Sequence, residues 1–228
     1  MYSVSRPKQI LCVDHKILLE RLFHYGVKGT PLKLLAFYLD KRFQCTKIVD
    51  AKSSFLNVTC GGPQGSVVGP LLFLIYINDI VKASDFNTVL YADDINLHIS
   101  GKNRDILEKT FNHELSKIDH WFLANKLCII YSKRNFMLMN NHTNINFSVS
   151  INHHSIPKQS SIKYFRVILD DKLNWKPQIE KLVTQLSKSC GMLLKLRHNA
   201  NISVLKSVYF AFFPFLLSYS ILNWGRAN

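Results

Sequence analysis

The chain has 228 residues, 47% of them hydrophobic and 12% aromatic, and this composition excludes a disordered, collagen-like or coiled-coil protein. Its 29 lysines and arginines exceed its 15 acidic residues, which gives a formal net charge of +14. A foldable chain with so large a positive charge is expected to bind a polyanion, nucleic acid ahead of anionic lipid.

Two helices are predicted near the start of the chain, after an apolar run at residues 9–13 that is typical of a buried strand. Asp14 is the expected N-cap of the first helix. The second helix opens with Thr30 and Pro31 and extends to about residue 40, since proline is tolerated in the first helical turn. The predicted apolar face of the first helix consists of Ile17, Leu18, Leu22 and Phe23.

A strand at residues 43–49 and a helix at residues 69–80 are predicted next. Because that helix is apolar on nearly every side, we expect it to be buried under a sheet. Residues 88–91 and 95–99 are two short apolar runs around an Ala-Asp-Asp sequence. This pattern predicts a β-hairpin with acidic residues at its turn.

The second half of the chain begins with an amphipathic helix, whose apolar residues recur every three or four positions from Leu107 to Phe122. Three short strands are predicted around residues 135–139, 146–151 and 162–169. A long helix with an apolar stripe follows. The stripe consists of Ile179, Leu182, Leu186, Cys190, Leu193 and Leu194.

Together these elements predict a mixed α+β domain over residues 1–172 and a small helical region over residues 173–228. Residues 207–225 carry no charge and nearly reach the roughly 20 residues of a membrane span. Pro214 and several polar residues favour instead a helix that is buried against a neighbour and broken at the proline. We therefore expect no stable membrane association. A membrane-associated helix at residues 207–225 is the alternative.

The five cysteines lie far apart in the sequence, and no two form a Cys-x-x-Cys pair. The sequence therefore predicts neither a zinc ribbon nor a disulfide framework. The N-terminal segment has no apolar core followed by a small-residue cleavage site, so it is not expected to be a signal peptide. An intracellular location follows, and the sequence leaves nuclear and cytoplasmic sites equally open.

Asp93 and Asp94 are adjacent carboxylates at the predicted hairpin turn. Two negative charges at an exposed tip repel each other and add no structural stability. A bound divalent cation would remove the repulsion, and carboxylate oxygens suit Mg²⁺, which in pairs stabilises the attacking and leaving oxygens of phosphoryl transfer. A solvated acidic turn is the alternative, and these residues alone do not decide between the two.

A second motif lies upstream, where residues 63–73 read PQGSVVGPLLF. With the Tyr-Ala-Asp-Asp hairpin, it resembles the reverse transcriptases of non-LTR retrotransposons, the jockey-like group in particular. In that group a Pro-Gln-Gly-Ser-x-x-Gly-Pro-Leu-Leu-Phe segment precedes a Tyr/Phe-Ala-Asp-Asp hairpin. The resemblance runs nearly end to end and implies RNA-templated DNA synthesis by a polymerase palm, an antiparallel sheet with packed helices, followed by a helical thumb.

The resemblance implies roles for individual residues. Asp93 and Asp94 would bind Mg²⁺, with Mn²⁺ as a possible substitute, and the partners would be an RNA template, a DNA primer and a dNTP. The oligomeric state is left open. Four residues are implied to lie near the primer end, the template base or the incoming nucleotide: Gln64, Gly65, Tyr91 and Lys133. For Lys133 a solvated surface lysine is the alternative.

The helical region resembles the thumb of these enzymes. Lys181, Lys188 and Lys195 recur every seven residues and therefore share one helix face. From residue 155 onward, eleven lysines and arginines accompany three acidic residues, a local net charge of +8. The three lysines are predicted to bind successive phosphates of a nucleic-acid backbone, and a solvated lysine face is the alternative.

Leu11 departs from the family at the metal site. The family supplies a third carboxylate from a segment like Ala-Phe-Asp-x-Val-Asp-His, and alignment on Val13, Asp14 and His15 places Leu11 at its first aspartate. Leucine has no lone pair to donate. Asp14 cannot replace the missing ligand, because residues three apart in a strand project from opposite faces. Catalysis is therefore expected to be impaired.

Two arginines also stand where the family has smaller residues: Arg134 replaces a threonine, and Arg166 replaces the glycine of Tyr-Leu-Gly-Val at a site expected to be tight. The family's fingers region would lie before Met1 and is expected to be missing. These departures predict a truncated retrotransposon copy with weak or no activity. A non-catalytic, basic nucleic-acid-binding remnant is the alternative.

Overall fold

The structure is a computed structural model that describes residues 2–4, 13–62, 65–92, 94–127, 134–139, 147–152 and 154–225. The chain divides into two compact units. The larger unit comprises Met1–Asn135 and Asn146–Pro157, and the smaller unit comprises Phe136–Ile145 and Lys158–Asn228. Helices and strands are mixed in the chain, which confirms the predicted class. The division into functional regions at residue 172 stays a prediction.

As far as the structure describes it, the larger unit contains four α-helices, a four-stranded sheet and three two-stranded sheets. In chain order its elements are β1 (Tyr2–Val4), α1 (His15–His24), α2 (Thr30–Leu39), β2 (Phe43–Gln44), β3 (Lys47–Ile48), β4 (Ala51–Lys52), β5 (Leu56–Asn57), α3 (Val68–Ile77), β6 (Asn87–Tyr91), β7 (Asp94–His98), α4 (Arg104–Ala124), β8 (Arg134–Phe136), β9 (Ser150–Ile151) and β10 (His154–Ser155). The sheet has the order β6-β7-β1-β8. Apart from Val13, the strand predicted at residues 9–13 lies outside the described residues.

Helix α1 confirms the predicted cap. The Asp14 carboxylate accepts hydrogen bonds from the backbone N–H groups of Lys16 and Ile17, at 3.0 and 3.1 Å. Leu18 and Leu22 are buried one turn apart, but the prediction that Phe23 is buried is wrong, since its side chain is 48% exposed. Phe23 lies about 100° around the helix from Leu22 and therefore falls outside the buried row.

The prediction that the helix at residues 69–80 is buried on every side is wrong. Helix α3 buries Leu72, Phe73 and Tyr76, whereas Leu71 and Leu74 are exposed. Only one face of α3 packs on the rest of the larger unit, so the apolar composition on its other face leaves hydrophobic side chains in solvent. A turn of 3₁₀ helix, Asn78–Lys82, continues α3.

Arg21 joins three helices of the larger unit. From α1 its guanidinium donates to the backbone carbonyl of Tyr76 and to the carboxylate of Asp79. It also donates to the side-chain oxygen of Asn125, at 2.5 Å, just beyond α4. The rings of Tyr76 and Trp121 lie 5.1 and 5.5 Å from it. These contacts fix α1, α3 and α4 against one another.

Helix α4 confirms the amphipathic prediction. Asn103 caps its first turn by accepting hydrogen bonds from two backbone N–H groups. The predicted apolar residues from Phe111 to Phe122 are buried, and Leu107 is half-buried. The helix also buries Glu114 and Asp119, each with polar partners, because a buried charge needs hydrogen bonds or an opposite charge.

Arg134, which stands at the family's threonine position, is buried in the larger unit. Its Nη2 lies 4.0 Å from the carboxylate of Asp119, which also accepts a hydrogen bond of 2.5 Å from Asn152. Because removing one partner of a buried ion pair leaves an uncompensated charge, we infer that Arg134 and Asp119 depend on each other.

The single strand predicted at residues 43–49 is wrong. Its residues belong instead to β2 and β3, which pair with β5 and β4 in two separate two-stranded sheets. The chain reverses just after Ile48, where Val49 adopts a left-handed φ of +52°. Residues 43–49 contain no glycine, proline, asparagine or aspartate, so the sequence gives no turn signal between β2 and β3.

The smaller unit contains a hairpin and helices: β11 (Ser161–Tyr164), β12 (Val167–Asp170), α5 (Lys176–Leu196), α6 (Ile202–Ser218) and α7 (Ile221–Trp224). The single strand predicted at residues 162–169 is wrong, because the chain turns at Phe165 and Arg166, with φ of +45° and +70°. Arg166 is exposed, so the expectation that it occupies a tight site is wrong. What is unusual at this position is the left-handed backbone conformation.

Helix α5 packs against β12 and α6 with a face that differs in part from the predicted stripe. Leu182 is buried as predicted, but Cys190 and Leu194 are exposed, and that part of the prediction is wrong. Gln178 and Ser189 are buried in their place. Gln178 is polar yet buried because its side-chain oxygen accepts a hydrogen bond of 3.0 Å from the backbone of Ile168.

The prediction of a buried helix broken at Pro214 is also wrong. Helix α6 passes through Pro214 to Ser218, and none of its 17 residues is buried. A proline removes one backbone hydrogen bond, which distorts a helix without necessarily ending it. Within the described part of the chain, no helix is both long enough and apolar enough to cross a membrane.

Candidate functional site

The predicted hairpin is confirmed by β6 and β7. Tyr91 pairs with Asp94, so only two residues separate the strands. Ala92, the first of them, has a φ of +50°. Two-residue hairpin turns require a positive φ at this position, because their twist must match that of the strands. Asp94 is therefore the first residue of β7 and not a turn residue.

Strand β7 of this hairpin is packed in the core of the larger unit. Ile95 and Leu97 are fully buried and Asn96 is nearly so, since β7 lies between β6 and β1 in the sheet. Asp94 is half-buried at the end of β7, and Tyr91 across from it is 65% exposed. The buried strand β7 thus begins with the carboxylate of Asp94, beside the accessible ring of Tyr91.

Strand β1 runs towards this end of the hairpin. It pairs antiparallel with β7, with Tyr2 opposite Leu97 and Val4 opposite Ile95. The chain therefore leaves β1 on the side where Asp94 lies. Four of the predicted site residues lie outside the described residues, and their placement stays a prediction: Leu11, Gln64, Asp93 and Lys133.

The segment that leads into the Pro-Gln-Gly motif is fixed to the start of α1. The backbone N–H of Gly61 donates to the carbonyl of Val13 at 2.7 Å. The imidazole Nε2–H of His15 donates in turn to the carbonyl of Gly61 at 2.6 Å. Sequence reasoning did not single out His15 for this function, although it is part of the aligned Val-Asp-His segment.

The segment after the motif is fixed to α3. The hydroxyl oxygen of Ser66 accepts hydrogen bonds of 3.1 Å from the backbone N–H groups of Val68 and Gly69, and Tyr38 donates to the same oxygen at 2.5 Å. Gly65 has a φ of +79°, and among the described residues other than its chain neighbours no atom lies within 4 Å of where a Cβ would be. The left-handed backbone favours a glycine there.

Asp14 lies next to this segment and has a structural role. Besides capping α1, its carboxylate accepts a hydrogen bond of 2.7 Å from the ammonium of Lys126. That hydrogen bond lowers the pKa of Asp14 below its ordinary value, although partial burial opposes the shift. The carboxylate is therefore committed to the α1 cap and to Lys126.

The three lysines of α5 differ in their surroundings. Lys188 and Lys195 are exposed, whereas Lys181 is half-buried and donates to the backbone carbonyl of Arg166 at 2.9 Å. Partial burial, together with the charge of Lys163, lowers the pKa of Lys181. The two exposed lysines are thus the ones that solvent or a polyanion can reach directly.

Among the residues that the structure describes, no three histidine, cysteine, aspartate or glutamate side chains lie together as a metal site. Asp94 is the only one of the two predicted metal ligands that is described. Its donor chemistry fits a hard cation such as Mg²⁺.

Comparison with known families supports the sequence resemblance. Residues 12–169, which are more than half of the chain, match the family model described as reverse transcriptase (RNA-dependent DNA polymerase). The match contains the Pro-Gln-Gly motif, the hairpin of β6 and β7, and the hairpin of β11 and β12 as far as Leu169.

Three curated relatives are similar over much of the chain. A probable RNA-directed DNA polymerase from transposon X-element of Drosophila melanogaster is 23% identical over 95% of the chain and 26% of its own length. The RNA-directed DNA polymerase from mobile element jockey, also of Drosophila melanogaster, is 26% identical over 91% of the chain and 22% of its own length. A retrovirus-related Pol polyprotein from the type-1 retrotransposable element R1 of Bradysia coprophila is 27% identical over 60% of the chain and 14% of its own length. The chain thus spans about a quarter or less of the length of these relatives.

Proposed function

The chain belongs to the reverse transcriptase family, and on that premise we propose that it is the palm and thumb portion of a non-LTR retrotransposon polymerase with impaired catalysis. The palm would comprise residues 1–172 and the thumb residues 173–228. The observation that carries the proposal is the hairpin of β6 and β7. In it, Asp94 begins the buried strand β7 and lies opposite Tyr91, whose ring is exposed.

Asp93 and Asp94 are proposed to hold divalent cations, Mg²⁺ or in its place Mn²⁺. Carboxylate oxygens are the ligands that these hard cations prefer. Bound at such a site, a pair of ions stabilises the charge on the attacking and leaving oxygens during phosphoryl transfer. The buried β7 strand would hold the Asp94 carboxylate in place, and this rigidity is what a catalytic site requires.

The residues around the hairpin are proposed to position the nucleic acid and the nucleotide. Tyr91 would contact the primer end through its exposed ring. Gly65 and Gln64 would lie beside the template base and the incoming dNTP, and Lys133 would lie near the triphosphate. The fixed ends of the Pro-Gln-Gly segment, at Gly61 and Ser66, support a preorganised nucleotide site.

Leu11 is proposed to impair this chemistry, since it stands where the family has a metal-binding aspartate. The loss of a ligand shared by two ions is expected to remove several kcal/mol of transition-state stabilisation. Because about 1.4 kcal/mol corresponds to a tenfold change in rate, we expect synthesis to be slowed by roughly a hundredfold or more.

Primer extension on an RNA template, with Mg²⁺ or Mn²⁺, tests the proposal. The unsubstituted chain should give synthesis near background, Leu11→Asp should raise it, and adding Asp93→Ala to that variant should abolish the gain. Leu11→Asn is the matched control, because it has the same shape as aspartate without the charge, and should recover little. Robust synthesis by the unsubstituted chain that Asp93→Ala abolishes would refute the proposed impairment.

A second candidate function is non-catalytic binding of nucleic acid. It is favoured by the exposed lysines Lys188 and Lys195 on α5, neither of which forms an ion pair among the described residues. Such a protein would bind duplex nucleic acid through its phosphates, independently of sequence and with a steep dependence on salt.

A further inference from the structure

The segment from Arg42 to Val58, here called the ribbon, is a two-stranded extension of the larger unit. β2 and β5 pair at its base, and β3 and β4 pair at its tip. Between the two pairs, Thr46 and Ser53 are joined by two hydrogen bonds of 2.9 Å. From residue 43 to residue 57, every residue is exposed except the half-buried Cys45. A two-stranded ribbon in water is marginally stable, so a partner that covers it would stabilise it.

Like charges face each other at the tip of the ribbon. Lys47 of β3 is paired directly with Lys52 of β4. Two positive charges in directly opposite positions destabilise a pair of strands. No acidic side chain forms an ion pair with either lysine among the residues that the structure describes. A bound anion would relieve this repulsion.

Aromatic rings accompany the cations along the ribbon. Phe43 and Phe55 are 62% and 61% exposed. The ammonium of Lys52 lies 4.5 Å from the ring centre of Phe55, and the guanidinium of Arg42 lies 5.4 Å from that of Tyr38. Exposed rings beside cations are what proteins use to bind single-stranded nucleic acid, since the rings stack on bases while the cations contact phosphates.

A cavity of about 660 Å³ lies at the base of the ribbon. This volume is typical of sites for small organic ligands and is sufficient for one nucleotide. Phe43 and Leu56 supply apolar lining, and Arg42 supplies a positive charge. None of the described residues that line it is an aspartate or a glutamate, so with Arg42 beside it the cavity favours an anionic ligand.

We propose that the ribbon and this cavity bind single-stranded nucleic acid, with one unpaired nucleotide in the cavity. Arg42, Lys47 and Lys52 contact the phosphates, and Phe43 contacts the base. The inference rests on the proposed function, because Gly61 and Gly62 line the cavity and lead into the segment proposed to lie beside the template base. The strand bound by the ribbon is then the template before it is copied.

The charge part of the inference is tested by fluorescence anisotropy with a labelled twelve-nucleotide single-stranded RNA. The full chain is used with EDTA and without dNTP, so that binding does not depend on catalysis. Lys47→Gln/Lys52→Gln should weaken binding about tenfold and reduce the salt slope by about 1.4, since each of the two lysines is expected to neutralise one phosphate and to contribute about 0.7. Lys102→Gln/Lys109→Gln removes two exposed charges elsewhere in the larger unit and should change neither quantity.

The stacking part of the inference is tested with Phe43. Phe43→Leu keeps an apolar side chain but removes the ring, and should weaken binding about five- to tenfold, whereas Phe43→Tyr should retain it. Because Phe43 is exposed, neither change threatens the core, and a thermal melt checks folding.

Three outcomes would overturn the inference. The first is equal loss of binding in the ribbon variant and in the Lys102 and Lys109 control. The second is unchanged RNA binding in the ribbon variant. The third is unchanged RNA binding accompanied by loss of self-association or of binding to an acidic peptide, which would make the ribbon a protein interface. If Leu11→Asp gains synthesis while the ribbon variants bind RNA normally, the inference fails and the proposed function stands.

Discussion

The carboxylate of Asp14 forms hydrogen bonds that stabilise the fold. It accepts two backbone hydrogen bonds at the start of α1 and one hydrogen bond from Lys126, which comes from far along the chain. On the proposed function, the same contacts leave Asp14 poorly suited to replace the residue at position 11 as a metal ligand. Its oxygens already have partners on two sides.

We predict that Asp14→Ala lowers the free energy of unfolding by about 1–2 kcal/mol, because it removes both the N-cap and the ion pair. Asp14→Asn keeps a capping oxygen and loses only the charge, so it should lower it by less than about 1 kcal/mol. Urea denaturation of the two variants measures the difference. Equal losses would show that the cap contributes little to stability.

Arg166 carries a conformational strain that a glycine would avoid. Its φ of +70° lies in the left-handed region, and the sequence resemblance implies a glycine at this point. A side chain in this region costs about 1–2 kcal/mol, because Cβ approaches the backbone carbonyl. The turn of the β11 and β12 hairpin is therefore formed by a residue that disfavours it.

We predict that Arg166→Gly stabilises the chain by about 0.5–1 kcal/mol, after allowance for the greater freedom of glycine in the unfolded chain. Arg166→Ala is the matched control, since it removes the side chain but keeps Cβ, and it should bring no gain. Thermal denaturation measures both. A gain with alanine equal to that with glycine would attribute the effect to charge or side-chain bulk.

This turn also shows why part of the fold could not be read from the sequence. The cap at Asp14 was predicted because it has a local chemical signal. The reversal at Phe165 and Arg166 was missed, because neither residue is a glycine or an asparagine, the usual signal of a positive φ. Phe23 was placed in the core because it is apolar, although helix geometry puts it beside the buried row.

At the scale of elements, Glu114 connects α4 to the segment before the β6 and β7 hairpin. Its side chain is only 4% exposed and accepts hydrogen bonds from the backbone N–H of Asp85, at 2.8 Å, and from Lys117, at 2.7 Å. Burial alone would raise the pKa of Glu114. The hydrogen bonds and the charge of Lys117 outweigh it and hold the pKa below its ordinary value.

The sign of the pH dependence follows from that lowered pKa. Glu114 stabilises the fold fully above its unfolded pKa, near 4.5, and this contribution is lost as the pH falls through the folded value. We predict that Glu114→Gln destabilises the chain at pH 6 and that the difference from the unsubstituted chain shrinks below pH 4. Urea denaturation at both pH values measures it.

Glu20→Gln, at an exposed position of α1, is the control for Glu114 and should have no such pH dependence. A destabilisation by Glu114→Gln that stays constant with pH would contradict the assigned cause, because it would show that the carboxylate's charge is not what the fold uses.

The elements that the sequence predicted best are those whose pattern depends on local chemistry. The spacing along α4 and the hairpin around Ala92 were predicted because helix period and strand alternation act within a few residues. The burial of only one face of α3 was not predicted, and neither was the burial of Ser189 on α5. The sequence does not reveal whether a neighbouring element covers a given side chain. Four residues of the candidate site, Leu11 and Asp93 among them, lie outside the described residues, and their placement stays a prediction.

At the scale of the whole molecule, charge is the property that catalysis and simple binding share. The net charge of +14 favours nucleic acid in either case, and the excess is pronounced from residue 155 onward. What separates the two functions is that synthesis needs the donors at the hairpin, whereas binding needs only accessible cations. Charge reversal on α5 therefore tests binding without touching the hairpin of β6 and β7.

We predict that Lys188→Glu/Lys195→Glu weakens binding of an RNA–DNA duplex at least tenfold. It should also reduce the salt slope by about 1.4–1.8, since each of the two phosphates contributes between about 0.7 and 0.9. Fluorescence anisotropy at several salt concentrations, without dNTP, measures both quantities. Lys181→Glu is made separately, because the hydrogen bond of Lys181 to Arg166 makes its reversal a change to the fold as well.

The control for the α5 variant is Lys102→Glu/Lys109→Glu, which reverses two exposed charges of the larger unit and alters the net charge by the same amount. If both double variants weaken duplex binding equally, only the overall charge matters and α5 is not a specific contact. If neither does, α5 does not bind the duplex, and the thumb assignment fails together with the non-catalytic candidate. A loss confined to the α5 variant supports a phosphate contact along one face of that helix, on which the two lysines lie seven residues apart.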